Sequence, residues 1–281
     1  MFQKVVKSAQ LISLPDVYLK LKELMDEPEY TMAEVALLVG RDPGMATRFL
    51  RVVNSPLNRR IRKIETVSQA VSLLGIRQVH DIVLSASVAE AFEGIQTEVM
   101  NMKKFWQRSF YCAVMTKQLA LECDIIEDDR LFVTGLLHDI GHLFMYIAIP
   151  AESQHAILKA KKLERPLYQM ERELIGFDYA KVGGYMMRQW GLPKSLQAIT
   201  YFHPEPGKSN QFASETAMLH LASLLVQADL EAGVFGEGAF LVDTAAWQLT
   251  GLTEEHCLKA RQTAAEEFNA VAESISGLDF N

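Results

Sequence analysis

Apolar side chains recur along this chain at helical spacing, and no alternating run of useful strand length interrupts them. Beyond Leu14-Pro15, residues Val17, Leu21, Leu24 and Met25 share one helical face. Thr31 and Glu34 have the spacing of a capping box, in which two side chains satisfy orphan N–H groups at a helix start. They open a helix carrying Val35, Leu38 and Val39. Asp42-Pro43 supplies the next N-cap, with proline at a first helical position that needs no N–H. That helix carries Ala46, Phe49, Leu50 and Val53 and stops near Asn54-Ser55-Pro56. Thr66 with Gln69 predicts a further capping box, and Gly75 marks the end of its helix. Residues 76–92 read as a longer helix with Val79, Ile82, Val83, Ala86 and Ala89 at its apolar positions.

Residues 93–104 are polar and lack a strong apolar stripe, which places a boundary between an N-terminal helical part, 1–100, and a second part, 101–230. In the second part, 105–121 and 130–148 are strongly apolar. The latter is apolar nearly all round, as a single buried central helix is. Helices follow over 152–164 and 179–190, the second closed by Gly191-Leu192-Pro193, and 203–211 is a loop by composition. A helix over 215–230 precedes a loose connection marked by Gly233, Gly236 and Gly238. The C-terminal extension, 231–281, carries Leu258, Ala265, Phe268, Val271 and Ile275 on one face. The expected fold class is all-α.

Composition adds limits. The 281 residues are 49% hydrophobic, 22% charged and 9% aromatic, an ordinary globular profile. Lysine and arginine number 28 against 35 acids; the net charge of −7 argues against a surface that coats nucleic acid or anionic membrane throughout. The longest stretch free of Asp, Glu, Lys and Arg is 13 residues, Thr216–Ala228. A membrane span needs about 20 apolar residues, so none is expected. No apolar run accompanies Lys4 and Lys7, so no signal peptide is expected either. The three unclustered cysteines, Cys112, Cys123 and Cys257, read as apolar fillers in a reducing compartment, and the expected location is cytoplasmic.

The chemistry concentrates in Leu136-Leu137-His138-Asp139-Ile140-Gly141-His142. Adjacent His and Asp in an apolar helix must have their polar groups satisfied, because unpaired burial costs several kcal/mol. A metal ion held jointly with ligands from other segments is one solution. A hydrogen-bond node tying helices together is the other, and the dipeptide alone favours it.

The chain resembles the HDOD family, a bacterial relative of the HD-domain metal-dependent phosphohydrolases. Leu11-Ile12-Ser13-Leu14-Pro15, Arg41-Asp42-Pro43, Leu50-Arg51-Val52-Val53-Asn54-Ser55 and Ala70-Val71-Ser72-Leu73-Leu74-Gly75 carry the N-terminal resemblance. Phe105-Trp106 with Ser109, Gly135-Leu136-Leu137-His138-Asp139-Ile140-Gly141, Gly176-Phe177 with Val182-Gly183, and Trp190-Gly191-Leu192-Pro193 continue it. It covers roughly residues 10–225 and implies an N-terminal helical subdomain followed by an HD-like helical bundle.

The resemblance also implies where a working hydrolase keeps its metal ligands. His138 and Asp139 match, and of a paired His-His only His203 remains. The other ligand positions are degenerate, falling at Arg108, Tyr179, Phe202 and Ser223. Such a set under-coordinates a divalent cation. Arg108 places a permanent positive charge where the metal belongs, or pairs with Asp139 instead. No catalytic residue and no cofactor are therefore expected, with a divalent metal on His138, Asp139 and His203 as the alternative. His142, one turn beyond His138, is expected to be a partly exposed histidine near a helix end, and His220 a satisfied core histidine.

A basic segment breaks the overall acidity. Arg41, Arg48, Arg51, Arg59, Arg60, Arg62 and Lys63 face only Asp42, so residues 41–63 carry +6 and the rest −13. Anion or partner binding is one reading and a solvated face the other, which composition favours. The expected function is a non-catalytic regulatory module in bacterial signal transduction, recognising another signalling protein or a small signal. The alternatives are a metal-dependent phosphohydrolase acting on a nucleotide or cyclic dinucleotide, and a nucleic-acid-binding regulator.

Overall fold

The computed structural model describes residues 1–9, 12–54, 63–123, 130–230 and 242–275. Every regular element among them is helical. The chain divides into two compact units, one of residues 12–95 and 267–281, the other of residues 1–11 and 96–266. The first residues thus belong with the second unit. Gly233, Gly236 and Gly238, like Arg59, Arg60 and Arg62, lie outside the described residues.

The smaller unit contains α2 (Asp16–Asp26), α3 (Met32–Arg41), α4 (Pro43–Val53), α5 (Val67–Leu74) and α6 (Ile76–Ala91), after α1 (Phe2–Ala9) of the larger one. The Thr31–Glu34 capping box forms in full, and the Asp42 side chain accepts the Met45 N–H at the start of α4. Caps of this kind contribute about 1 kcal/mol each. The Thr66 box forms by half. Its hydroxyl accepts from the Gln69 N–H, but the Gln69 side chain reaches back to the Glu65 N–H instead of Thr66. Gly75 ends α5 and starts α6 at φ 77°, a left-handed conformation that favours glycine. Val17, Leu21, Val35, Val39, Phe49, Val71 and Val83 form the buried centre of this unit.

In the larger unit, α7 (Met102–Glu122) packs on α8 (Arg130–Leu137) and on α14 (Ala213–Leu230). Here the expected single helix over 130–148 is corrected: α8 stops at Leu137, His138 and Asp139 form a turn, and α9 (Ile140–Ala148) begins anew. The continuous apolar pattern conceals the break, whose cause is the two polar side chains that must turn toward partners. This stretch has the length and composition to cross a membrane, but 83% of its most apolar 18 residues are buried within the protein, as in a core helix. Helices α10 (Pro150–Leu163), α11 (Leu167–Leu174), α12 (Tyr179–Gln189) and α13 (Lys194–Phe202) follow. The 203–211 loop contains a short 3-10 turn, Pro206–Lys208. α15 (Thr244–Thr250) packs on α14, and α16 (Glu254–Ile275) closes the described chain.

Two contacts fix the helices that carry the site. A Cβ at Gly141 would lie 1.9 Å from the Tyr179 carbonyl oxygen, so α9 and α12 touch backbone to backbone there. α1, which no sequence signal marked, buries Val5, Val6 and Ala9 and sets Phe2 edge-on to Phe177 and Tyr185 at 5.1 and 5.4 Å. Eight residues are too few for a stable isolated helix, so this tertiary contact holds it.

Candidate functional site

The break between α8 and α9 organises the site. His138 is buried, and its Nδ1 donates to the Gly135 carbonyl at 2.7 Å. Nε2 has no hydrogen-bond partner among the described residues. Burial lowers the His138 pKa, which keeps the ring neutral.

Asp139 is 1% exposed and uses both carboxylate oxygens. Oδ2 accepts from the guanidinium of Arg108 on α7, and Oδ1 accepts from His142 Nδ1 at 2.7 Å. Burial alone would raise this carboxyl's pKa, but the Arg108 and His142 charges outweigh it and hold the group well below the usual range. Arg108, with 32% of its side chain exposed, lies at the rim.

His142 corrects a sequence expectation: it is fully buried, not partly exposed. Its second ring nitrogen, Nε2, donates to Glu171 Oε1 at 3.0 Å. Both nitrogens therefore face carboxylates, which only accept, so the ring carries two protons and a positive charge. Burial lowers its pKa, but Asp139 and Glu171 together raise it to about 9. Glu171, on α11 and wholly buried, accepts the Tyr179 N–H at its other oxygen at 3.0 Å. Rings of Tyr179 and Tyr146 lie nearly parallel to the imidazolium at centroid distances of 3.9 and 5.1 Å, a geometry that favours a cation over a π face.

The result is a buried chain of alternating charge, Arg108–Asp139–His142–Glu171, that sums to zero and joins α7, the α8–α9 turn, α9 and α11. Tyr179 links it to a neutral branch. Its hydroxyl donates to His203 Nε2 at 2.8 Å, while His203 Nδ1 donates to the Thr200 carbonyl at 2.7 Å. Burial drives the His203 pKa well down, in agreement with that pattern, and His138 meets its ring edge-on at 5.4 Å. His220 Nδ1 donates to the His203 carbonyl at 2.8 Å and its Nε2 accepts the Asp243 N–H at 3.1 Å.

Arg108, His138, Asp139, Tyr179 and His203 thus come together. Ser223 donates to the His220 carbonyl, and Phe202 packs against Tyr201 at 4.7 Å. In the smaller unit, Arg48 pairs with Glu90 and Glu93 at 2.7 and 2.6 Å. Arg51 lies on the same helix, Arg41 ends α3, and Lys63 is exposed. His142, Glu171 and Tyr146 complete a centre that the sequence did not delineate. One signal was available: Glu171 stands four residues from Leu167, beside Met170, on the apolar side of α11.

A divalent metal does not fit this donor set. Asp139 is committed to two cations, His142 to two carboxylates, and His203 to Tyr179 and Thr200. Among the described residues, no group of three His, Cys, Asp or Glu side chains is placed to hold a metal ion.

The described residues form two helical units, the larger of which carries the His-Asp turn. The HDOD domain family matches residues 11–206, and the chain belongs to that family. An HDOD domain protein of unknown function from Geobacter sulfurreducens superposes with a TM-score of 0.72, covering 100% of this chain and 98% of its own at 19% identity. A Shewanella amazonensis protein whose name proposes a phosphohydrolase gives 0.74, covering 95% and 96% at 21% identity. A Marinobacter aquaeolei protein whose name proposes signal transduction gives 0.70, covering 94% and 58% at 20% identity. At these identities the likeness is one of fold. A Treponema pallidum (strain Nichols) protein is 19% identical over 222 residues; the chain covers 42% of that curated relative's length.

Proposed function

We propose that this HDOD protein is a non-catalytic regulatory module of bacterial signal transduction, acting in the cytoplasm on another signalling protein or a small signal. The observation that carries this reading is the Arg108–Asp139 ion pair. A guanidinium bonded to the carboxylate of the His-Asp pair supplies by itself the positive charge that a metal would bring, so the pocket is satisfied without one. Phosphoester hydrolysis in an HD-type site requires a metal-activated water, and the remaining free donor, His138 Nε2, is not enough to hold the ion. The basic segment supports a nucleic-acid role less well, since Arg48 is spent on Glu90 and Glu93.

The test is metal content and turnover in protein purified without chelator. The expected outcome is sub-stoichiometric Mn, Fe, Zn and Ni and no hydrolysis of bis-p-nitrophenyl phosphate or cyclic dinucleotides with any of these ions added. Metal-dependent hydrolysis abolished by Asp139→Asn would establish the phosphohydrolase reading instead.

A further inference from the structure

We propose that α1 is a displaceable plug in a helix-docking groove between α9 and α12, and that the groove serves an amphipathic helix of another signalling protein. The recognised helix carries an aromatic residue with small or branched apolar residues three, four and seven positions after it. This rests on the reading of the protein as a regulatory module and adds the surface on which its partner sits.

The spacing is read from α1 itself. Phe2, Val5, Val6 and Ala9 stand at i, i+3, i+4 and i+7, the anchor pattern of a helix lying in a groove. Val5 and Ala9 are at most 1% exposed, whereas Gln3, Lys4 and Lys7 face solvent. α1 packs on both α9 and α12. At one end Phe177 and Tyr185 meet the Phe2 ring edge-on, and the Lys181 ammonium lies 5.6 Å from the centre of that ring. Among the described residues, no hydrogen bond or ion pair joins α1 to another helix, so apolar burial and these ring contacts hold it. α1 also precedes residues 11–206, which match the family, and the chain after it enters the smaller unit, so only its apolar face commits it to the larger one. Eight residues unravel once undocked, because a stable isolated helix needs about 12 or more. A longer helix with the same anchors arrives with less order to gain and can take the place of α1. The exchange is felt at the buried charge chain, since α9 carries His142 and α12 opens with Tyr179, whose ring stacks on His142 at 3.9 Å.

The probe is a synthetic peptide of residues 1–9, held helical by a hydrocarbon staple between the exposed positions 3 and 7. Fluorescence anisotropy should show it binding saturably to the full chain carrying Val5→Asp, which undocks α1. Binding to wild type should be about tenfold weaker or more, because α1 competes there at high effective concentration. The same peptide with its own Val5→Asp change should not bind. Peptide binding should also return the variant's His142 imidazole resonances toward their wild-type positions by NMR. In wild type, α1 amides should exchange with deuterium about 100-fold or more faster than those of α9, as a locally opening element does. Should Val5→Asp fail to fold, Phe2→Ala in the full chain carries the same readouts. A folded variant that leaves the peptide unbound, or α1 amides as protected as those of α9, overturns the proposal while the regulatory reading stands. Metal-dependent phosphoester turnover overturns the regulatory reading, and with it the partner named here, even where the peptide binds.

Discussion

Replacing His142 by glutamine removes the cation at the centre of the buried chain and gives the clearest quantitative test of it. In the folded protein the imidazolium is stabilised by Asp139 and Glu171, which carry its pKa from 6.5 to about 9 against the opposing effect of burial. A tenfold change in proton affinity is worth about 1.4 kcal/mol, so this stabilisation amounts to about 3 kcal/mol. The sign follows from the direction. The folded pKa lies above the unfolded one, so the contribution is complete below about pH 6.5 and is lost as pH rises through about 9. Burial pushes the Cys112 and Cys257 thiols up to about 12, which also weakens the fold in alkali, but equally in both proteins. The difference between wild type and His142→Gln isolates the imidazolium. Urea unfolding followed by circular dichroism at 222 nm should show a gap between the two that narrows by about 3 kcal/mol from about pH 6 to about pH 10. Parallel stability curves across that range would refute a charged His142.

On the acid side, burial lowers the His138 and His203 pKa values, so the unfolded chain takes up protons that the fold refuses. Wild-type stability should therefore also fall below about pH 6.5, more steeply than in a His138→Asn, His203→Asn double variant. In Glu171→Gln, His142 keeps an acceptor but loses one of its two flanking charges, and its imidazole resonances should titrate closer to the ordinary value by NMR. Gly141→Ala should cost about 3 kcal/mol in urea unfolding, because the new methyl group meets the Tyr179 carbonyl at 1.9 Å and must prise α9 from α12. Arg48→Ala, whose pairs with Glu90 and Glu93 are partly solvated, should cost about 1 kcal/mol, with the loss shrinking in high salt.

What the sequence revealed follows the range of the forces involved. Thr31–Glu34 and Asp42-Pro43 were legible because a cap and its helix lie within four residues of each other. α1 was not, since its face of Val5, Val6 and Ala9 is too short to register without α9 and α12 to pack on. The interruption at His138-Asp139 was hidden because apolar residues continue on both sides of it. The Arg108–Asp139 contact, spanning 31 residues, was foreseeable only through the family resemblance, which aligned Arg108 with a ligand position. Nothing local announced the His142–Glu171 contact across 29 residues, and an imidazole near a helix end looked like an ordinary surface group.

Because the four members of the charge chain balance one another, they are not free to drift one at a time. A lineage that lost the acid at Glu171 would strand an imidazolium at His142, and one that lost His142 would leave two acids facing each other across the gap. Substitutions at Arg108, Asp139, His142 and Glu171 should accordingly arrive in compensating pairs.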